Sequence, residues 1–146
     1  MSQEARDYLS KISAADRLIN RLHSTIATLR SSLTSQNYEL NPDKVQSSGA
    51  KDALGDTIAK IVDLEAEIDQ HIDELVEMKK NTYHLIKKIP DLDQQNVLIA
   101  RYIQGMEWDD LSDDLNFSIA QVYRIHGSAL IEFAQKNPDI LKDDSK

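Results

Sequence analysis

The residues with the clearest chemical potential lie in the run Trp108-Asp-Asp-Leu-Ser-Asp-Asp-Leu-Asn-Phe-Ser-Ile-Ala-Gln-Val-Tyr-Arg-Ile. A helix-turn-helix needs a hydrophobe and a small residue in its first helix, then a turn residue that tolerates left-handed geometry. It also needs a buried hydrophobe after the turn and two aliphatics three apart in the second helix. Leu111, Ser112, Leu115, Asn116, Phe117, Val122 and Ile125 meet those needs in order. Asn is second only to Gly at a left-handed position, and Ser118 is placed to cap the second helix by accepting from its free amides. With Val122, Ile125 and Ala129 turned inward, Ala120, Gln121, Arg124 and Ser128 occupy the opposite face. Gln can pair with adenine and Arg with guanine in the major groove. The candidate DNA-contacting set is therefore Ser118, Ala120, Gln121, Tyr123, Arg124, His126 and Ser128. Lys79, Lys80, Lys87 and Lys88, with His84 among them, are candidates for holding phosphates. The same lysines also suit a solvated helix end that matches the macrodipole.

Other chemistries find less material. His71 lies beside Glu67 and Glu74, but the Glu-x-x-His arrangement of di-iron bundles would place Glu at position 68, which is Ile. The chain has no Cys, no His-Glu-x-x-His, no Gly-rich phosphate loop and no Gly-x-Ser-x-Gly. The expectation is a protein that is not an enzyme and uses no cofactor or metal.

The elements that must position these residues read as helices. Apolar residues at Ala5, Tyr8, Ile12, Ala15, Ile19, Leu22, Ile26, Leu29 and Leu33 alternate in steps of three and four, predicting one helix roughly 45 Å long. Ile12, Ile19, Leu22, Ile26 and Leu29 form a heptad seam of a type that suits dimerisation, whereas Leu9 and Leu18 widen the stripe toward an intrachain bundle. Both uses of the seam fit the pattern. The stretch 35–50 breaks the period with Asn-Pro and Ser-Ser-Gly and reads as a linker. The period resumes at Leu54 and predicts a second long helix over 51–89, ending at Pro90, so that the two could form an antiparallel hairpin. Short helices are expected over 91–104, 107–115 and 119–135, and a polar, frayed tail over 138–146. The domains expected are thus a hairpin with oligomerising capacity (1–90), a helix-turn-helix domain (91–137) and a flexible tail.

Composition sets the outer bounds. The 146 residues carry 25 Asp plus Glu against 17 Lys plus Arg, a formal net charge of −8, which disfavours nonspecific coating of a polyanion. Any DNA contact must be local. From Ser118 to Ile131 there is no acidic residue, while Asp109, Asp110, Asp113 and Asp114 crowd the preceding helix. Only 4 Gly and 3 Pro punctuate the chain, which leaves little raw material for a sheet-rich fold. With no long apolar run and no apolar leader, a cytoplasmic protein that does not enter a membrane is expected.

The ending RYIQGMEWDDLSDDLNFSIAQVYRIHGSALIEFAQ resembles the C-terminal domain of ArpU/RinA-like phage late-gene transcription regulators of Gram-positive bacteria, which end in a sigma-factor region-4-like helix-turn-helix. The segments YLSKISAADRLINRLHSTIATL and DKVQSSGAKDALGDTIAKIVDLEAEID are similar to that family's coiled N-terminal half, and 45–49 and 123–127 are the most specific stretches. Glu107 and Asn116 depart from the family pattern, which favours Ser or Thr at the first and Gly at the second. The resemblance implies a phage or prophage origin, binding of double-stranded DNA near a late promoter, and activation through RNA polymerase. The full expectation is an all-α protein, a long helical hairpin or coiled coil followed by a small helix-turn-helix domain, acting as a homo-oligomer. Its rival is a helical interaction adaptor, because residues 91–136 hold three basic residues against eight acidic ones, about −5.

Overall fold

The computed structural model of the chain describes residues 2–39 and 48–143, all of whose regular elements are helices. In order these are α1 (Ser2–Leu9), α2 (Lys11–Glu39), α3 (Ser48–Ile86), α4 (Leu92–Leu98), a π-helical turn (Ile99–Ile103), α5 (Trp108–Leu115), α6 (Ile119–Lys136) and α7 (Pro138–Asp143). The expected all-α class is what the structure shows. The linker expected over 35–50 is narrower than its composition suggested, since α2 runs to Glu39 and α3 starts at Ser48. Its centre, 40–47, lies outside the described residues.

The chain divides into two compact units, one of residues 1–15 and 75–146, the other of 16–74. The division expected at Pro90 is therefore not the observed one. The first helix is interrupted at Ser10, and Ala5 and Leu9 of α1 are fully buried in a core with Ile86, Ile89, Leu98, Tyr102, Ala129, Leu130 and Phe133. Tyr8 meets Phe133 with ring centroids 6.1 Å apart. A second core joins Val97, Ala100, Leu111 and Val122, with Met106, Trp108, Leu115, Phe117 and Ile125 packed against it. A short C-terminal domain has too little interior of its own, and α1 supplies the missing apolar surface. The tail also differs from expectation: Asn137 is buried, its Nδ2 donates to the carbonyls of Phe133 and Leu85, and Leu141 of α7 enters the first core. Apolar burial of Leu141 outweighs the polar composition around it. Residues 144–146 lie outside the described set.

The second unit is a pair of helices. Ile19 and Ile26 of α2 and Ile61 and Ile68 of α3 are buried, each pair at heptad spacing, and Arg30 of α2 ion-pairs with Glu65 of α3. Chain reach fixes the direction. Were α3 parallel to α2 with Arg30 beside Glu65, Ser48 would lie ~39 Å along the axis from Glu39, but nine peptide steps span at most ~32 Å. The helices are antiparallel. Of the seam residues expected to dimerise, Ile12, Ile19 and Ile26 are buried within the single chain and Leu22 and Leu29 are half-buried. Burial inside one chain is the use of the seam that the described residues show.

Candidate nucleic-acid interface

The turn between α5 and α6 is built around Ser112. Asn116 ends α5 in the left-handed region, φ 57° and ψ 37°, the only described non-glycine residue with positive φ. Its amide bonds to the Asp113 carbonyl at 3.4 Å, and the Phe117 amide bonds to the Ser112 carbonyl at 3.1 Å. The Ser112 hydroxyl donates to the Phe117 carbonyl, so one small buried side chain ties both sides of the turn. A larger residue at 112 would push α5 away from α6. Ser118 caps α6: its Oγ accepts from the Gln121 amide at 3.2 Å. Leu111 and Val122 are fully buried across the turn, while Leu115, Phe117 and Ile125 are half-buried.

Glu107 precedes α5 without a side-chain cap bond. Its carboxylate instead lies 3.9 Å from Arg101 Nη1, and that same nitrogen donates to the Met106 carbonyl at 2.9 Å. The guanidinium also covers the Trp108 ring at 4.4 Å. Arg101 thus fastens the loop in front of α5, where Gly105 turns at φ 71°, a conformation that a side chain would strain.

On α6, Ser118, Ala120, Tyr123, Arg124 and Ser128 are exposed and Gln121 is half-buried. Arg124 and Ser128 open onto a shallow cleft shared with Asp91, Asp93 and Gln94 at the start of α4. Asp91 caps α4, accepting from the Gln94 amide at 3.0 Å. Lys80, Lys87, Lys88 and His84 are exposed and Lys79 is half-buried, all within the compact unit that holds α6. No described contact joins these lysines to α6. Tyr83, 41% exposed, sits against the His84 ring at 5.7 Å.

His126 is the one candidate DNA contact that the structure removes. It is 5% exposed, and its Nε2 lies 2.7 Å from the Tyr102 hydroxyl. Trp108 meets it edge-on at 4.8 Å and meets Tyr123 at 5.1 Å, so Trp108 stands between a buried ring and an exposed one. Burial, with the nearby Arg6 and Arg101 charges, pushes the His126 pKa down to about 4. Burial raises that of Tyr102. The imidazole is neutral at pH 7, and the inward turn has a signal in the sequence: position 126 follows Val122 by four and precedes Ala129 by three, which is the inward face.

His71 Nδ1 stands 3.6 Å from Glu74 Oε2. Among the described residues no three His, Asp or Glu side chains gather into a metal-binding group, and no helix is long and apolar enough to cross a membrane.

A family model described as a protein of unknown function, DUF1492, matches residues 32–134, more than half of the chain. The chain belongs to the DUF1492 family. The DUF1492 match runs from the last turns of α2 through α3 and both helices of the turn, and stops near the end of α6. It leaves out α1, although α1 completes the core beneath α6 in this member. No curated protein and no solved structure matches the chain.

Proposed function

We propose that this DUF1492 protein is a sequence-specific DNA-binding transcription regulator that lays α6 in the major groove of double-stranded DNA. The observation that carries the reading is the α5–α6 turn: Asn116 in the left-handed region, Ser112 bridging the turn and Ser118 capping a helix whose exposed face bears Arg124 and no acid through Ile131. Arg124 and Gln121 would read base edges, Ser118, Ala120, Tyr123 and Ser128 would line the groove, and Lys79, Lys80, Lys87 and Lys88 would contact phosphates. Tyr123 is the pre-positioned member, braced by Trp108.

The finer reading follows from the resemblance to ArpU/RinA-like regulators. It is activation of phage or prophage late genes in the cytoplasm of a bacterial host, as an oligomer, with Asp109, Asp110, Asp113 and Asp114 of α5 turned toward RNA polymerase. Charge reversal of Asp109 and Asp110 should then abolish activation while DNA binding persists; unchanged transcription would remove the polymerase step.

A second reading is favoured by one observation: Asp91 and Asp93 line the same cleft as Arg124, placing carboxylates where phosphates would approach. This describes an interaction adaptor that docks on a protein without reading DNA. Selection of bound fragments from the neighbouring genome, run beside an Arg124→Ala/Gln121→Ala double variant, separates the two. Enrichment of one promoter-proximal site by the wild type alone, with affinity falling steeply as salt rises, supports the regulator. No enrichment at low salt overturns it in favour of the adaptor.

A further inference from the structure

Within the second unit and along the rest of α3, the apolar residues are not all used. Ile58, Val62, Ile72 and Val76 are 48%, 57%, 38% and 58% exposed. With Glu65 and Asp69 they occupy positions 58, 62, 65, 69, 72 and 76, steps of four and three that keep all six on one stripe of the helix. This stripe is distinct from the buried one at Ile61, Ile68 and Leu75. Isolated exposed hydrophobes need no explanation, but four in helical register, two on each side of a pair of carboxylates, form a patterned face that the chain itself leaves exposed.

The order of residue types identifies the occupant. Read from either end, the stripe runs apolar, apolar, acidic, acidic, apolar, apolar, so it is symmetric about position 67. Laid antiparallel on itself it would oppose Ile58 to Val76, Val62 to Ile72 and Glu65 to Asp69, and each contact would occur twice. Self-complementarity of one patch under a two-fold axis is the property of an isologous interface. The two acidic pairs at the centre would repel, were Glu65 not already ion-paired to Arg30 of its own chain. In the pair of copies each Arg30 would offset the Glu65 carboxylate of its central pair and so lessen its repulsion with the facing Asp69. We propose that α3 is a self-docking face, on which a second copy of this chain packs antiparallel with its two-fold axis at residue 67.

This goes beyond the DNA reading and holds whether or not α6 meets DNA. It also assigns association to a different surface from the α2 seam, which the chain buries within itself.

The chain has no Cys, so crosslinking is free of background. The antiparallel arrangement puts residue 62 of one copy beside residue 72 of the other, and the two copies of residue 62 ~15 Å apart along the axis, beyond disulfide reach. Purified full-length Val62→Cys and Ile72→Cys chains, mixed and oxidised gently, should therefore crosslink to each other, and neither should crosslink to itself. Sedimentation of the wild type should show a dimer that Val62→Asp/Ile72→Asp converts to monomer with unchanged helical circular dichroism. Arg30→Ala should weaken the dimer at least several-fold. A monomer at all concentrations up to ~100 μM, a dimer that survives the double aspartate variant, or self-crosslinking of Val62→Cys would each overturn the proposal. The last would indicate parallel packing. An unidentified partner of another kind covering the stripe would appear as the monomer outcome. None of these readouts uses DNA, so failure here removes the oligomer from the regulator reading but leaves the placing of α6 in the major groove to be decided by its own experiment, and the converse holds.

Discussion

The two compact units spend their apolar residues differently. In the unit of 1–15 and 75–146, α1, the end of α3, α4 to α7 and a π-helical turn enclose two cores, with Leu98, Leu111, Leu130 and Phe133 fully buried. In the unit of 16–74, two helices share one narrow seam of isoleucines and leave Ile58, Val62 and Ile72 of α3 and Leu18 of α2 in water. A helix pair cannot enclose an interior, since each helix meets only one neighbour and buries only one stripe. The first unit therefore buries its apolar residues in cores, whereas the second leaves apolar surface in water.

Several substitutions would break or sharpen that contrast. The largest effect is expected at Phe133, where truncation to Ala removes a ring packed among Ala5, Leu9 and Leu130; a loss of roughly 3–5 kcal/mol in urea unfolding is expected. Ile68→Ala in the helix pair should cost less, about 2 kcal/mol, because a site walled on fewer sides collapses more easily around a deletion. Equal losses at the two positions would erase the contrast.

The next largest effect depends on pH. The His126 pKa is about 4 in the folded chain against 6.5 for a free imidazole, so between those values the unfolded chain binds the proton first. Stability is thus complete above about pH 6.5 and falls as the pH drops toward 4, by roughly 2–3 kcal/mol from this one group. Thermal unfolding at pH 7 and pH 5 should show that the difference shrinks in His126→Gln. A drop of the same size in the variant would mean that carboxylates carry the whole effect.

At the turn, Asn116→Val should destabilise by about 1–2 kcal/mol, while Asn116→Gly should be neutral or stabilising, since the backbone there is left-handed. The smallest effect is expected at Gly127. A Cβ added there meets nothing within 4 Å, so Gly127→Ala should raise stability by about 0.5–1 kcal/mol, measurable as a higher midpoint in urea. A destabilised Gly127→Ala would mean that α6 does not keep its free helical geometry at that point.

Much of this organisation could be read from residue order. Heptad spacing marked α2 and α3, Pro90 marked the end of the second, and Leu111, Ser112, Asn116 and Ser118 marked the turn, because each acts through neighbours only three to six positions away. The placement of α1 could not be read in the same way. Ala5 and Leu9 lie in period with Ile12 and Ile19, and nothing local distinguishes a helix that continues along a seam from one that breaks at Ser10 and packs under α6. Leu141 was hidden for a related reason, as one apolar residue in a polar tail acquires meaning only when a core lies within reach.

The sequence by itself determined the helical class, the two long helices, the short helices of the C-terminal half and the chemistry available on α6. Those follow from periodicity, capping and turn propensity, which are properties of neighbouring residues. Tertiary structure alone decided that the isoleucine seam closes within one chain, that α1 and α7 complete the core behind α6, and that His126 turns inward to Tyr102 while Arg124 stays in solvent. Those outcomes depend on which apolar surfaces can meet. That is a competition among segments far apart in the chain, settled by the arrangement that removes the most apolar area from water without stranding a polar group.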